Sequence, residues 1–456
     1  MACPKTLLRL LQAFVLVQFG ITAPILMADE PGLLRSSLEP GAMTHIDVLL
    51  EVGGDLKLTE AGKIKSLKMS VVGKLAYDEK RLPTQTDSAG ARAVRHYTAA
   101  EATIKVEKGM LKPHLRADRH LVAALEEKTQ LELFSPQGPL TREELDLIDV
   151  PANSLLLDRL LPAEPVKVGD HWRHDDPLLT LLLGLDAISA SDVHSELKEM
   201  DATAARMELS GNVQGAIGGV STELELKGRY KFNRAQGTVT WVALLIEEKR
   251  SIGHVGPGAD VVAKLQMTVT PTTGVPELAD EALANLALEG KPEQAVLEYR
   301  SPGGRWSMQH DRRWHVMTDK ADSMAMRLIE RGDLLAQCNV SQLPQAEPGK
   351  QPSLARFQED VQRALDKDFK RFLHASETRN SLGYSIYRVV AEGVVSDLAI
   401  EWVYYLVADS HGQQVVYAFT IEPALSGRLA DADLAIVESL VFKDPIDTAA
   451  EPKIAR

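Results

Sequence analysis

The chain has 456 residues, 45% of them hydrophobic, and a net charge of −13. This composition is typical of globular domains, and the length exceeds one ordinary hydrophobic core, so two or three domains are expected. The negative charge opposes nucleic-acid phosphates and anionic lipid surfaces, and we therefore expect no nucleic-acid partner.

The first 28 residues have the features of a cleavable secretory signal peptide. Lys5 and Arg9 supply the basic start, Leu10–Leu26 supplies the apolar stretch, and Ala28 is the small residue at the predicted cut. Polar residues and a proline interrupt the stretch and acidic residues follow it, which favours cleavage over a retained membrane anchor. Cleavage removes two basic residues and no acidic one, which leaves a net charge of −15. We expect an exported protein, periplasmic or extracellular, with no integral membrane segment.

The cysteines predict a protein without internal disulfides. Cys3 leaves with the leader, so Cys338 remains alone in the exported chain. It lies in the apolar stretch Leu334–Val340, which has the pattern of a strand. We therefore expect Cys338 to be a buried core residue rather than a reactive thiol.

Alternating apolar and polar residues dominate the first half of the chain, most clearly in Thr222–Phe232. Such alternation buries one face of a strand and leaves the other in water, which predicts an antiparallel sheet. Gly73–Asp78 also aligns with Gly228–Asn233 at an offset of 155 residues. Both a tandem duplication and a chance match remain open explanations.

A helical insert is predicted within this β-rich region. Pro139–Leu145 resembles a capped helix start, and Pro177–Leu185 is nearly all apolar and must be buried. The second segment is expected to fill the concave side of a curved sheet as a core helix. The alternative is a lid over an apolar cavity, whose candidate ligand contacts are Leu178, Leu182 and Leu185.

The last third of the chain changes to a mixed α/β pattern after a linker with a short helix at Pro276–Leu288. A helix is predicted from Ser353, its N-cap, and a final helix over Asp431–Leu440. The first of these carries a helical stripe formed by Leu354, Phe357, Val361, Leu365, Phe369 and Phe372.

The predicted fold class is α+β, with a large antiparallel, half-barrel-like sheet and inserted helices followed by a smaller α/β/α sandwich. The predicted boundaries are a leader at residues 1–28, a flexible N-terminus at 29–42, the β-rich domain at 43–271 with its helical insert at 139–185, a linker at 272–295, the α/β domain at 296–444 and a disordered tail at 445–456.

Two resemblances follow from these patterns. Ser301–Ser307, Trp314 and the strands Trp402–Val407 and Gln414–Thr420 resemble the Mog1/PsbP-like α/β/α sandwich. That resemblance implies a non-catalytic binding or assembly module. The β-rich region resembles secreted half-barrel proteins of the lipoprotein-carrier type, and Pro165–Trp172 resembles a segment of exported bacterial β-rich proteins of unknown function.

The chain lacks the common nucleophile-elbow, zincin, phosphate-loop and dinucleotide motifs. Three polar segments remain as candidates. His171, His174 and Asp175 could bind a divalent metal if the backbone turned there, or they form a polar turn before a helix. His310–His315 could be a basic binding edge, or a strand and turn. The carboxylates of Arg142–Asp149 could do acid–base chemistry, or they form a solvated helix face.

We therefore expect a non-catalytic exported protein that holds an apolar ligand or a protein partner, with no cofactor. The alternatives are an exported hydrolase, metal-assisted at His171 and His174, and a structural component of the cell envelope. A hollow sheet interior would favour ligand binding, whereas a filled one would favour the structural role.

Overall fold

The computed structural model describes residues 31–443, except residues 61, 85–89, 128–129, 331, 348–349 and 430. The predicted leader and the predicted disordered tail lie outside the described residues. None of the helices in the described ranges is long and apolar enough to cross a bilayer.

The first two thirds of the described chain form one large antiparallel sheet, as its alternating pattern predicts. The strands run in the order β6-β5-β3-β2-β1-β13-β12-β11-β10-β9-β7, with β4 paired to β3 and β8 paired to β10. The ends of this path do not meet, so the sheet is open. Its strands are β1 (Met43–Glu60), β2 (Lys63–Arg81), β3 (Arg92–Val106), β4 (Gly109–Leu111), β5 (Leu121–Glu126), β6 (Leu131–Phe134), β7 (His171–Arg173), β8 (Ala187–Ser191), β9 (His194–Met200), β10 (Ala204–Ile217), β11 (Val220–Asn233), β12 (Thr238–Arg250) and β13 (Gly258–Thr272).

The apolar face of this sheet packs against the segments between β6 and β8. The α-helices are α1 (Arg142–Ile148), α2 (Asp176–Leu183), α3 (Asp280–Leu283), α4 (Leu354–Leu365), α5 (Ser426–Leu429) and α6 (Ala432–Glu438). Leucines of α1, of α2 and of the 3-10 segment Ser154–Leu160 share one buried cluster with the inward side chains of the strands. This cluster is the main core of the molecule.

The two halves of the large sheet follow the same path. β1, β2 and β3 are neighbours in sequence order, and β10, β11 and β12 are neighbours in the same direction across the sheet. Gly73 lies in β2 and Gly228 in β11, and each faces the interior beside a buried aromatic or leucine residue. This is the arrangement that a tandem duplication would produce.

The last part of the chain forms two smaller antiparallel sheets, ordered β14-β15-β23 and β16-β17-β18-β22-β21-β20-β19. One face of the seven-stranded sheet packs against α4, and the opposite face packs against α6 and the small sheet. Together with the large sheet, these layers confirm the α+β class. The strands are β14 (Leu297–Arg300), β15 (Trp306–His310), β16 (Trp314–Asp319), β17 (Ser323–Glu330), β18 (Asp333–Leu343), β19 (Phe369–Arg379), β20 (Ser385–Val395), β21 (Leu398–Ala408), β22 (Gln414–Ile421) and β23 (Val441–Phe442).

Two predicted helices are shorter in the structure. The α4 helix begins after Ser353 but ends at Leu365, because Asp366 adopts a positive φ of 46°. Phe369 and Phe372, which continue the helical spacing, lie in β19 instead and pack against each other and the α4 side of the sheet. The predicted helix Pro276–Leu288 is a 3-10 turn followed by the four residues of α3.

Candidate functional site

A cavity of about 530 Å³ lies on the concave face of the large sheet, between its first strands and α1. Most of its walls are aliphatic, and its polar groups lie along one edge beside α1. The lining residues are Val48 and Leu50 of β1, Val71, Gly73 and Leu75 of β2, Ala102 and Ile104 of β3, Leu111 to His114, Arg116, Thr141, Glu143, Glu144, Asp146, Leu147 and Val150.

Small side chains explain why this part of the interior is hollow. Gly73 pairs with Leu50 on one side and with Ala102 on the other. A Cβ atom placed on Gly73 would meet nothing closer than 3.8 Å, which is ordinary van der Waals contact. At Gly228, the corresponding position in the other half, a Cβ atom would lie 2.5 Å from a methyl group of Leu244. The same backbone frame is therefore filled in one half and open in the other.

The α1 helix forms the polar edge of the cavity. Thr141 caps its first turn: its Oγ1 accepts from the Glu144 amide at 3.2 Å, and its own amide donates to Glu144 Oε2 at 2.8 Å. The buried Glu144 carboxylate also receives three hydrogen bonds from Arg116, two from the guanidinium at 2.6 and 2.7 Å and one from the backbone amide at 3.1 Å. Burial alone would raise the pKa of Glu144, but these donors outweigh it and lower the pKa. Arg116 reaches on to Glu298 at 2.8 Å, which joins the large sheet to β14.

A second cavity of about 440 Å³ lies on the other side of α1, at the junction with β14, β15 and β16. It is lined mainly by polar side chains. Thr141, Glu143 and Asp146 line both cavities, so the exposed face of α1 forms a wall common to the two. The remaining lining residues of this junction cavity are Arg142, Val255, Glu298, Tyr299, Arg300, His310 and the run from His315 to Asp319.

Two histidines face the junction cavity as neutral imidazoles. The Nδ1 atom of His310 donates to the carbonyl oxygen of Asp311 at 2.9 Å, which leaves Nε2 as an acceptor in the neutral ring. Burial lowers the pKa of His310. The pKa of His315 falls to about 4, because the ring is desolvated and lies near Arg142 and His310. Both rings can therefore accept hydrogen bonds at neutral pH.

Asp146 stands at the boundary between the two cavities. Its side chain borders both cavities and is 65% accessible. Desolvation by the surrounding protein raises its pKa to about 6, although Arg142 opposes the shift. The Arg142 guanidinium lies 3.8 Å from the carboxylate. The charge at this boundary therefore changes near neutral pH.

The structure brings together two of the three polar segments singled out in the sequence. The Arg142–Asp149 segment and the His310–His315 segment meet across the junction cavity, although about 170 residues separate them. Arg142 donates to the carbonyl oxygen of Arg312, and Arg312 in turn donates to the carbonyl oxygens of Ala295 and Leu133. The predicted basic edge is thus a contact with the large sheet.

The third segment does not form a cluster. His171 is exposed on β7, whereas His174 is buried and its Nε2 lies 2.7 Å from the Ser195 hydroxyl. Burial lowers the pKa of His174 to about 4. Asp175 caps α2, and its Oδ1 accepts from the Leu178 amide at 2.8 Å. Within the described residues, no group of three or more such side chains is placed to hold a metal ion.

The predicted ligand contacts of α2 lie in the core. Leu178, Leu182 and Leu185 are all buried in the main cluster. Leu185 packs against the β10 backbone near Gly215, in the second half of the sheet. None of the three is among the residues that line the concave cavity. The signal for that cavity in the sequence is the run of small inward residues, Gly73 and Ala102, on neighbouring strands.

A groove of about 610 Å³ also crosses the outward face of β1 and β10–β13. All of its lining residues belong to strands, and charged side chains project into it. Arg229, for example, pairs with Glu208 at 3.0 Å. A mainly aliphatic cavity between a sheet and a helix retains a small molecule better than such a charged sheet surface, so the concave cavity is the stronger candidate site.

No protein-family model matches the chain, and no curated protein matches it. A solved structure from Bacteroides thetaiotaomicron VPI-5482 aligns with 32% of this chain and 48% of its own, at 11% identity and a TM-score of 0.25. Cyanobacterial PsbP (CyanoP) from Synechocystis sp. PCC 6803 aligns with 35% of this chain and 98% of its own, at 13% identity and a TM-score of 0.27. The translocator domain of the autotransporter NalP from Neisseria meningitidis covers 84% of this chain and 88% of its own, at 7% identity and a TM-score of 0.13. At such scores these likenesses carry no argument about fold or function.

Proposed function

We propose that this protein binds a lipid-like amphiphile, with the apolar chain in the concave cavity and the polar head beside α1. The observation that carries the proposal is the shared wall: Thr141, Glu143 and Asp146 face the aliphatic cavity on one side and the polar junction cavity on the other. A molecule with one apolar and one polar end matches this sequence of surfaces.

The size and chemistry of the cavities support the proposal. A volume of about 530 Å³ falls in the range of ligand pockets, which are mostly apolar with a few polar groups that orient the ligand. On the polar side, Arg142 and Arg300 offer donors, and the neutral rings of His310 and His315 offer acceptors. A head group with both donors and acceptors would be bound there.

The proposed setting is the exported compartment, because the first 28 residues have the pattern of a secretory leader. The C-terminal unit, whose element order resembles the Mog1/PsbP-like sandwich, is proposed to act as a non-catalytic module that completes the head-group side of the site. A hollow interior favours ligand binding over a purely structural role in the envelope.

A cavity-filling variant tests the proposal. Gly73→Phe places a ring in the concave cavity, where the backbone leaves room for a side chain. Val72→Phe is the matched control, because Val72 directly precedes Gly73 on β2 and its side chain is exposed on the opposite face of the sheet. Binding of a dansyl-labelled undecanoic acid would be measured by fluorescence, and native mass spectrometry would show whether the purified chain carries a bound amphiphile.

We expect Gly73→Phe to weaken probe binding at least about tenfold, since the ring occupies the volume that the apolar chain of the ligand needs. Val72→Phe should bind as the unaltered protein does. Thermal unfolding of both variants checks that the fold is kept. Equal binding by Gly73→Phe and the unaltered protein, or no binding by either, would overturn the proposal.

A further inference from the structure

The hairpin of β1 and β2 extends beyond the rest of the sheet. Its pairing continues to Glu60 and Lys63, whereas the last β3 partner of β2 is Val106, opposite Met69. The hairpin end and the adjoining β3–β4 turn together form what we call the flap, defined as residues 55–60, 63–69 and 104–112. The flap lies at the mouth of the concave cavity, because Ile104, Leu111 and Lys112 belong to both.

The flap exposes apolar side chains on both of its faces. Leu58 and Leu111 lie on the face that continues the cavity wall, since side chains alternate along a strand and Leu50 and Ile104 share their parity. Ile64 and Met110 lie on the opposite face and do not line the cavity. Ile64 is 72% exposed and Leu111 is 67% exposed. Met110 pairs with Lys105 and Lys105 with Ser70, six residues along β2 from Ile64, so the apolar side chains are spread from the tip of the flap to its base. Large apolar side chains exposed along the whole flap make it a candidate interaction surface.

The flap is also basic, in contrast to the chain as a whole. It contains seven lysines and three carboxylates, a net charge of +4 in a protein of net charge −13. Two of the lysines pair with flap carboxylates: Lys65 with Glu60, and Lys68 with Asp55, each at 2.8 Å. The lysines that form no ion pair within the described part of the chain are Lys63, Lys105, Lys108 and Lys112.

The geometry points to an anionic phospholipid bilayer as the surface on which the flap docks. Apolar side chains that enter the acyl boundary, surrounded by lysines that meet anionic head groups, are the features of an interfacial membrane anchor. The overall negative charge, which opposes such a surface, would orient the molecule so that only the flap approaches it. The inference rests on the proposed function for its purpose, since a docked flap would open the cavity toward the membrane from which the ligand comes.

Vesicle flotation tests the docking. The chain without the predicted leader, which retains every described residue, would be mixed with phosphatidylcholine vesicles that contain about 30 mol% phosphatidylglycerol. We expect binding to these vesicles, weaker binding at high salt, and little binding to pure phosphatidylcholine. The variant Ile64→Glu/Met110→Glu should bind at least about tenfold more weakly. Its matched control, Leu382→Glu/Leu398→Glu, removes two leucines exposed elsewhere and should bind normally.

A second pair of variants tests the charge. Lys63→Glu/Lys108→Glu should also weaken binding at least about tenfold, whereas Lys320→Glu/Lys367→Glu, with the same change in net charge at exposed sites outside the flap, should change it little. Absence of binding, equal binding to neutral vesicles, or equal effects of the flap and control variants would overturn the inference. A surface that recognises a protein partner would give the first of these results.

The cavity-filling variant separates this inference from the proposed function. Gly73→Phe should still bind anionic vesicles, because Gly73 lies outside the flap. Conversely, Ile64→Glu/Met110→Glu should still bind the dansyl-labelled acid in the absence of vesicles. If the unaltered protein bound the dansyl-labelled acid but did not bind vesicles, membrane docking would be rejected and the proposed function would stand.

Discussion

A buried ion pair holds the 3-10 segment Ser154–Leu160 against the sheet, and the loss of one partner of this pair should be strongly destabilising. Arg95 Nε donates to Glu79 Oε2 at 2.8 Å, and the Ser154 hydroxyl donates to the same oxygen at 2.7 Å. Arg95 Nη2 also donates to Asn153 Oδ1 and, at 3.1 Å, to Ser154 Oγ. Both charged side chains are about 1% exposed. Solvent therefore cannot reach either group to replace a lost partner.

The burial of this ion pair sets the expected loss of stability. Glu79→Leu leaves the Arg95 guanidinium buried without its carboxylate, which costs about 3–5 kcal/mol in the free energy of unfolding. The double variant Glu79→Leu/Arg95→Met removes both charges of the pair. Ser154 keeps Tyr77 and Asn153 keeps the Leu155 amide as partners, and the half-buried Arg81 loses the Glu79 carboxylate at 3.7 Å, so we expect a loss of about 1–2 kcal/mol. The double variant should thus be more stable than the single variant by about 2 kcal/mol or more.

Urea unfolding followed by circular dichroism and tryptophan fluorescence measures these differences. Trp172 is a local reporter, because its Nε1 donates to the carbonyl oxygen of Leu160 at the end of the 3-10 segment, at 2.9 Å. The reasoning would be refuted if Glu79→Leu cost less than about 1 kcal/mol, or if the double variant were less stable than the single variant. The pKa of Glu79 adds a second check: burial raises it, but Arg95 and Arg81 outweigh burial and lower it. Its contribution is therefore present above the unfolded pKa and is lost as the pH falls through the folded value.

Three further outcomes are expected. The folded pKa of Asp146 is raised to about 6, so this group contributes stability below its unfolded pKa and the contribution is lost as the pH rises through 6. Asp146→Asn should therefore stabilise the protein more at pH 7.5 than at pH 5, as measured by thermal unfolding. The opposite order would contradict the raised pKa. Cys338 is fully buried with a raised pKa, so Ellman's reagent should label it only after denaturation, and rapid labelling of the native protein would contradict that burial. The Ser353 side chain accepts from the Arg356 amide at 3.3 Å, so Ser353→Ala should cost about 1 kcal/mol in urea unfolding, whereas Ser353→Asp, which keeps an acceptor, should cost little.

The sequence predicts the features of this fold that depend on local pattern. Strict alternation in segments such as Thr222–Phe232 predicts antiparallel strands, and the structure confirms them in β11. The capped start of α1 and the burial of Cys338 also follow from short local patterns, and the structure confirms both. Phe369 and Phe372 show where local pattern fails, because their spacing is helical but pairing with β20 takes them into β19. Tertiary pairing overrides a short periodic signal.

The candidate site could be predicted only in fragments. The residues of α1 and of His310–His315 stand out in the sequence, but their meeting across the junction cavity depends on the packing of two units distant in the chain. The hollow under the sheet depends on strand register, which places Gly73 beside Leu50 and Ala102. Register is set by the whole sheet and by its turns, and a single strand does not reveal it. The apolar run of α2, a much stronger signal, marks packed core instead.

The comparison of the two halves of the large sheet indicates why a site would form in only one of them. In the second half, α2 presents leucines that join the core, and Leu244 occupies the space beside Gly228. In the first half, α1 turns Glu143 and Asp146 toward the cavities, and carboxylates cannot be buried there without partners. The helix therefore borders the hollow and leaves it unfilled.

The two halves also differ in the lengths of their strands. β1 and β2 have 18 and 19 residues, whereas β10 and β11 have 14 each, so only the first half carries a flap at its mouth. The hollow, its polar edge and its exposed rim thus occur together, which is the arrangement expected if one half serves as scaffold and the other holds the ligand.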